Sequence, residues 1–228
     1  SIKKHQGDYP FKYKPFKPDA WFYPFRSQDF KTDDVHFIIP EKNIFDTIPF
    51  FYKKIASASG LFLSSIHQLG KITDMMFDFS TLKIKPEVKL PKALEDKAVV
   101  VWKNENDTWV SKGGKFEANY LVAKVREFGE FSVQLDTTPP RISPVNITPG
   151  KYMRSAGKII FTIGDNLSGV QDFDTYLDNK WVLSEYDAKT ARLVHFLEKS
   201  LPRGQHQFKV VVTDERNNQS TYTVSFSM

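Results

Sequence analysis

The sequence predicts an all-β chain made of two tandem β-sandwich modules, the second immunoglobulin-like. Three observations carry this expectation. Short extended runs rich in Val, Ile, Thr, Tyr and Phe recur between turn signals, while long runs of helix formers are few. The stretch QLDTTPPRISP, residues 134–144, breaks the series with two consecutive prolines. Pro139 and Pro140 fix φ twice, remove two N–H donors and push Thr138 toward extended geometry, so no helix and no central strand runs through them. After the prolines, six extended runs fit into about ninety residues, the strand density of a sandwich.

In chain order, residues 1–30 read as an extended aromatic and basic strap or linker. Residues 31–137 read as the first sandwich, with strands at 35–39 (VHFII), 61–66 (LFLSSI), 82–85 (LKIK), 98–103 (AVVVWK), 108–111 (TWVS), 120–125 (YLVAKV) and 130–135 (EFSVQL). The polar NEND, residues 104–107, sits between two Trp-bearing runs and predicts a hairpin. Residues 44–56 fit a helix face through Ile44, Phe45, Ile48, Phe51, Tyr52 and Ile55, but Pro49 falls inside it, and strand is the expectation. Residues 138–228 read as the second sandwich, with strands at 158–164, 172–177, 181–185, 192–197, 205–213 and 220–227. Asp178-Asn179 suits a tight hairpin because both residue types tolerate positive φ, and Asn217-Asn218 can do the same before the last strand. The hinge between modules is placed at Asp136, Pro139 and Pro140.

With 228 residues, 40% of them hydrophobic, the chain can fill two ordinary cores. The formal charge of +5 would invite a nucleic-acid partner, but residues 1–17 alone hold a net +4, so the charge marks a basic tail and not a basic face. No nucleic-acid partner is expected. No apolar run approaches the ~20 residues of a membrane span, so none is expected, and no signal peptide is visible. Ser1 in place of Met reads as an internal cut, which leaves export open. The absence of cysteine excludes disulfides, thiolate metal sites and a Cys nucleophile.

Five stretches in order, VHFIIPEKNIFDTIPFFY, LKIKPE, REFGEFSVQLDTTPPRISP, FTIGDNLSGVQDFDTYLDNKWVLSEYD and VVVTDERNN, resemble the non-catalytic C-terminal region of lysostaphin-like (LytM-type) zinc metallopeptidases of Gram-negative bacteria. The resemblance rests on a D-x-T-P-P hinge and on D-x-x-S-G and D-x-x-G-N turns, here Asp165, Ser168 and Gly169, then Asp214, Asn217 and Asn218. Asn217 stands where that pattern has Gly, an exchange that an αL-tolerant residue permits. The resemblance implies export to the periplasm or cell envelope, an upstream catalytic domain as partner, and a role in positioning, spacing or partner contact. The peptidase core of such enzymes holds zinc through H-x-x-x-D and H-x-H. None of His5, His36, His67, His195 and His206 has Asp four residues on, and no two are one residue apart. The expectation is therefore a chain without catalysis, metal or cofactor.

The GDNLSG turn, residues 164–169, superficially suggests a calcium loop. Leu167 stands where an EF-hand loop needs oxygen, and no closing Glu follows, so the reading is a turn whose polar residues satisfy backbone N–H groups. No G-x-S-x-G, G-x-G-x-x-G, P-loop or H-E-x-x-H occurs. The compositional anomaly is YPFKYKPFKPDAWFYPF, residues 9–25, in which Tyr13, Phe16, Trp21, Tyr23 and Phe25 alternate with lysines and prolines. As a ligand site these rings would stack on glycan or peptidoglycan, the alternative function. As a strap they would fold back onto the first sandwich, at least from Trp21 to Phe25, and this is the expectation. Trp102, Trp109 and Trp181 are expected to pack within or between strands.

Overall fold

The structure, a computed structural model, describes residues 17–57 and 60–228. It is all-β apart from the single-turn helix α1 (Lys92–Glu95). In chain order the strands before the prolines are β1 (Ala20–Phe22), β2 (Gln28–Lys31), β3 (Val35–Ile39), β4 (Ile48–Phe50), β5 (Tyr52–Ile55), β6 (Ile66–Leu69), β7 (Met75–Ile84), β8 (Ala98–Lys103), β9 (Trp109–Ser111), β10 (Lys115–Glu117), β11 (Tyr120–Glu127) and β12 (Gly129–Leu135). Those after are β13 (Arg141–Pro144), β14 (Lys151–Tyr152), β15 (Lys158–Gly164), β16 (Val170–Leu177), β17 (Lys180–Trp181), β18 (Glu185–Asp187), β19 (Arg192–Phe196), β20 (Gln205–Asp214) and β21 (Gln219–Ser227).

The first sandwich packs the sheet β10-β11-β7-β3-β2 on the sheet β5-β6-β12-β8-β9. Period-two alternation builds it: Val35, Phe37 and Ile39 of β3 and Leu82 and Ile84 of β7 turn inward to meet Val100, Phe131 and Val133. Within residues 1–30, β2 pairs with β3 and β1 with β4. That pairing drives Phe22 onto Phe50, with ring centroids 4.2 Å apart, and burial of such a ring contributes about 1.5–3 kcal/mol.

The second sandwich has β13-β15-β19-β18 in one sheet and β14-β21-β20-β16-β17 in the other. In immunoglobulin lettering these are A-B-E-D and A′-G-F-C-C′, and the module is immunoglobulin-like by that topology. All ladders are antiparallel except β14 on β21. Its core is separate from the first and includes Ile159, Phe161, Leu193, Phe208, Val210 and Phe226. The Asp178-Asn179 hairpin forms as expected: Leu177 pairs with Lys180, and φ is 49° at Asp178 and 64° at Asn179.

Two expected strands are corrected. Residues 61–66 are mostly irregular, with only the bridge of Phe62 to Gln134, and the strand starts at Ile66. Leu63 still donates its N–H to the Val133 carbonyl at 2.8 Å, and the buried hydroxyl of Ser64 bonds the Ser65 carbonyl at 2.8 Å and meets the Ser132 hydroxyl at 3.0 Å, so side-chain bonds tie the irregular stretch to β12. Residues 181–185 do not form one strand: β17 belongs to one sheet and β18 to the other, and Val182 to Ser184 cross between them. Thr175 holds the crossing through bonds to the Val182 carbonyl at 2.7 Å and the Ser184 hydroxyl at 2.8 Å.

Candidate functional site

Three turns separated widely in sequence converge where the two sandwiches meet. Asp136 follows β12 and is 2% exposed. Its backbone N–H bonds the Lys97 carbonyl, keeping it on the first sandwich, while its Oδ2 accepts the Ser168 N–H of the second at 2.9 Å. Asp165 follows β15, and its Oδ2 accepts the N–H groups of Leu167 and Gly169 at 2.9 Å each, the Asx-type closure expected of this turn. Gly169 at φ 98° supplies the backbone turn into β16. Asp214, fully buried at the end of β20, accepts the N–H groups of Arg216 and Asn218 through Oδ1 at 2.8 Å each. Asn217 takes φ 58°, so the residue in the Gly position of the turn adopts the left-handed conformation.

Asn218 is the keystone of the joint. Its amide nitrogen donates to Asp214 Oδ2 at 2.7 Å and to the Asp136 carbonyl at 3.0 Å, and its amide oxygen accepts Lys97 Nζ at 2.7 Å. Lys97 Nζ also donates to the Arg216 carbonyl at 2.6 Å, and Arg216 Nη1 reaches back to the Gly114 carbonyl at 3.0 Å. Burial lowers the Arg216 pKa, while Glu215, Asp136 and Asp214 pull the other way. Pro140 is buried here and Pro139 exposed. A groove of 740 Å³ runs alongside, lined in part by Thr138, Pro139, Arg141, Asp165 and Asn166.

Chemically, the joint gathers carboxylates. One oxygen from each of Asp136, Asp165 and Asp214 lies within 4.8 Å of the others, so these are the residues able to hold a cation. Asp165 Oδ1, Ser168 Oγ and Arg216 Nε are enclosed and have no hydrogen-bond partner among the described residues. Sequence reasoning marked every one of these turn and hinge aspartates but took each turn by itself. Their convergence is a property of the fold, and the only signal for it was the shared Asp at the start of each motif.

The aromatic candidates come out differently. Tyr13 and Phe16 lie outside the described residues. Trp21, Tyr23 and Phe25 are 46%, 37% and 83% exposed, so the expectation that the stretch from Trp21 to Phe25 is buried holds only for Phe22. Alternation along β1 turns Trp21 away from Phe22, and the turn after Tyr23 throws Phe25 outward. Trp181 also departs from expectation: it is 60% exposed, with Nε1 bonded to Asp174 Oδ1 at 2.9 Å. Trp102 is half-buried, donating to the Phe128 carbonyl, and Trp109 packs edge-on against Phe62.

An exposed aromatic cluster was missed. Phe77 and Phe79 project from one face of β7, Phe45 stacks on Phe77 at 3.7 Å, and the Arg126 guanidinium lies 5.5 Å over Phe79. The signal was the period-two MMFDFS, hidden because apolar side chains occupy both faces of this strand. Four histidines are described, and they hold separate partners: His36 with Asp29, His67 with Tyr52, His195 with the Leu183 carbonyl and His206 with Asp178.

Comparison with known proteins gives the following. None of the curated proteins matches the chain. Among solved structures, the fibronectin(III)-like modules of CbhA from Clostridium thermocellum are 14% identical with a TM-score of 0.31, over 66% of this chain and 85% of theirs. The glycoside hydrolase domain of Endo-D from Streptococcus pneumoniae R6 is 10% identical with a TM-score of 0.27, over 83% of this chain and 38% of its own. The family model of the Zu5-like domain matches residues 19–136, ending at the Asp that opens the joint. That match spans more than half of the 228 residues, and the chain belongs to the Zu5-like domain family.

Proposed function

We propose that the chain is the non-catalytic accessory region of an exported cell-envelope peptidase, and that it works as a stiff two-module spacer that positions an upstream catalytic domain. One observation carries the spacer role: side chains from both sandwiches interlock in a buried polar joint, with Lys97 bonded to Arg216 and Asn218, and Asn218 bonded to Asp136. Two modules on a bare linker would move independently by default. The peptidase link is supported by the resemblance at the D-x-T-P-P hinge and the two Asp-led turns, the residues that build this joint. Small-angle scattering of the intact chain tests the spacer reading. A single rigid arrangement should fit the data, and Arg216→Ala with Asn218→Ala should broaden the distance distribution. A wild-type profile that requires freely moving modules would overturn it.

A second reading, binding of glycan or peptidoglycan, is favoured by the exposed stack of Phe45 on Phe77 beside Phe79 and Arg126. Retention on purified sacculi, reduced by Phe77→Ala with Phe79→Ala at unchanged stability, would promote it over the spacer.

A further inference from the structure

The geometry points to a divalent-cation site at the joint, selective for Ca²⁺, with Asp136, Asp165 and Asp214 as its carboxylate ligands. The three come from separate segments, the end of β12, the turn after β15 and the end of β20, yet present oxygens within 4.8 Å of one another. Three carboxylates converge here with an enclosed hydroxyl, a set of hard oxygens that suits Ca²⁺, which takes about six to eight oxygen ligands in flexible geometry. Mg²⁺ demands near-ideal octahedral geometry, keeps several waters and is usually held by only one or two carboxylates. All the donors are hard oxygens, with no His or Cys among them, which disfavours zinc and the later transition metals.

Two further features speak for a cation at this place. Asp165 Oδ1 and Ser168 Oγ are enclosed oxygens without any hydrogen-bond partner among the described residues, in the same turn whose amide bonds Asp136. A desolvated carboxylate oxygen left unpaired is costly, and a bound cation would satisfy it. The neighbouring cations do not: Lys97 Nζ is spent on the Arg216 carbonyl and Asn218 Oδ1, and Arg216 gives Nη1 to the Gly114 carbonyl and makes no hydrogen bond through Nε among the described residues. None of the three carboxylates has a salt bridge among the described residues, although Asp136 and Asp214 are 2% and 0% exposed. Backbone N–H groups hold the other oxygens, as Leu167 and Gly169 do for Asp165 Oδ2, and so fix the direction of each carboxylate. This is not an EF-hand loop, so Leu167 within the turn does not count against it. Water completes the coordination, and the groove beside Asp165 gives the ion a route in.

The site goes beyond the spacer role and does not rest on it, because binding is measured without reference to module motion. The test is titration of the intact, chelator-stripped chain with CaCl₂ by calorimetry and thermal melting. One ion should bind per chain and raise Tm, MgCl₂ should bind at least tenfold more weakly, and Asp165→Asn should weaken Ca²⁺ binding at least tenfold. Asp172→Asn, at an exposed position of β16, should leave it unchanged. Amide shifts of the wild-type chain locate the ion without any substitution, and those of Leu167, Ser168, Gly169 and Asn218 should move as Ca²⁺ is added. Absence of heat and of any Tm change at millimolar Ca²⁺ would overturn the assignment. So would full binding by a folded Asp165→Asn variant, or shifts confined to other residues.

Discussion

A single amide does much of the work at the joint. Asn218 is 8% exposed and uses both ends of its amide at the joint, donating to Asp214 Oδ2 within its own sandwich and to the Asp136 carbonyl across it, and accepting from Lys97. Replacing it with Ala removes a donor from two buried acceptors and leaves the Lys97 ammonium only the Arg216 carbonyl, and each orphaned group costs about 1–3 kcal/mol where water cannot reach it. Asn218→Ala should therefore lower stability by about 2–3 kcal/mol, since part of the loss is recovered by water entering the cavity. Urea unfolding checks this, read as a shift in midpoint at constant slope. A loss below about 0.5 kcal/mol, the level of ordinary surface substitutions, would show that the joint is solvated. The sequence marks Asn218 only as a residue that tolerates turns. Its value comes from partners 82 and 121 positions away, which no local pattern contains.

Among the elements, the strands most legible in the sequence are those with an unbroken pattern, alternating in β3 and continuously apolar at the start of β8. At β3 and β8 the expected and observed bounds coincide, because VHFII and AVVVWK combine β-branched residues with clear edges. Only the last three residues of β7 fall in the expected strand, which runs on to Lys85, since apolar Phe77 and Phe79 on its outer face erase the alternation earlier on. The shortest strands, such as β10 and β14, exist because a neighbour pairs with them and carry little pattern of their own. Gly70 illustrates what lies beyond local reading. It closes β6 at φ 68°, donates its N–H to the Phe51 carbonyl at 2.9 Å, and a Cβ there would meet Phe128 Cδ1 at 2.8 Å. Phe128 is fully buried and has little room to yield. Gly70→Ala thus combines left-handed strain with overpacking and should cost about 2–4 kcal/mol. Gly150→Ala, at φ 75° but with open space around the Cβ, should cost only about 1 kcal/mol. Comparing the two melting temperatures isolates the packing component, and equal losses would mean that Phe128 shifts freely.

Taken as a whole, the molecule sets two buried histidines of opposite titration behaviour against each other, His67 in the first sandwich and His206 in the second. His67, fully buried in the first, faces the Tyr52 hydroxyl through Nδ1 at 3.0 Å and encloses Nε2 without a partner. Burial pushes its pKa down to about 4 from 6.5, against the pull of Asp34. In the second sandwich, His206 donates from Nδ1 to Asp178 Oδ2 at 2.7 Å and from Nε2 to the Pro202 carbonyl at 2.9 Å. The hydrogen bond that His206 donates to Asp178 raises its pKa above the ordinary value, so the folded module favours the imidazolium. For His67 the unfolded chain takes up a proton that the folded chain refuses, so its stabilisation is present above pH 6.5 and is lost as pH falls toward 4, by about 3 kcal/mol at most. For His206 the sign reverses: its contribution is complete below the ordinary histidine value and is lost as pH rises through the raised one. Acidification from pH 7.5 to 4.5 should therefore weaken the first sandwich while the second holds or gains. Urea titrations followed through resonances of Val100 and Phe131, and separately of Val210 and Phe226, distinguish the two cores. His67→Phe should flatten the pH dependence of the first, and His206→Gln that of the second. If the joint couples the modules into one transition, the same two variants still bend the single curve in opposite directions. A pair that changes it in the same direction would rule out the opposed roles given to the two histidines.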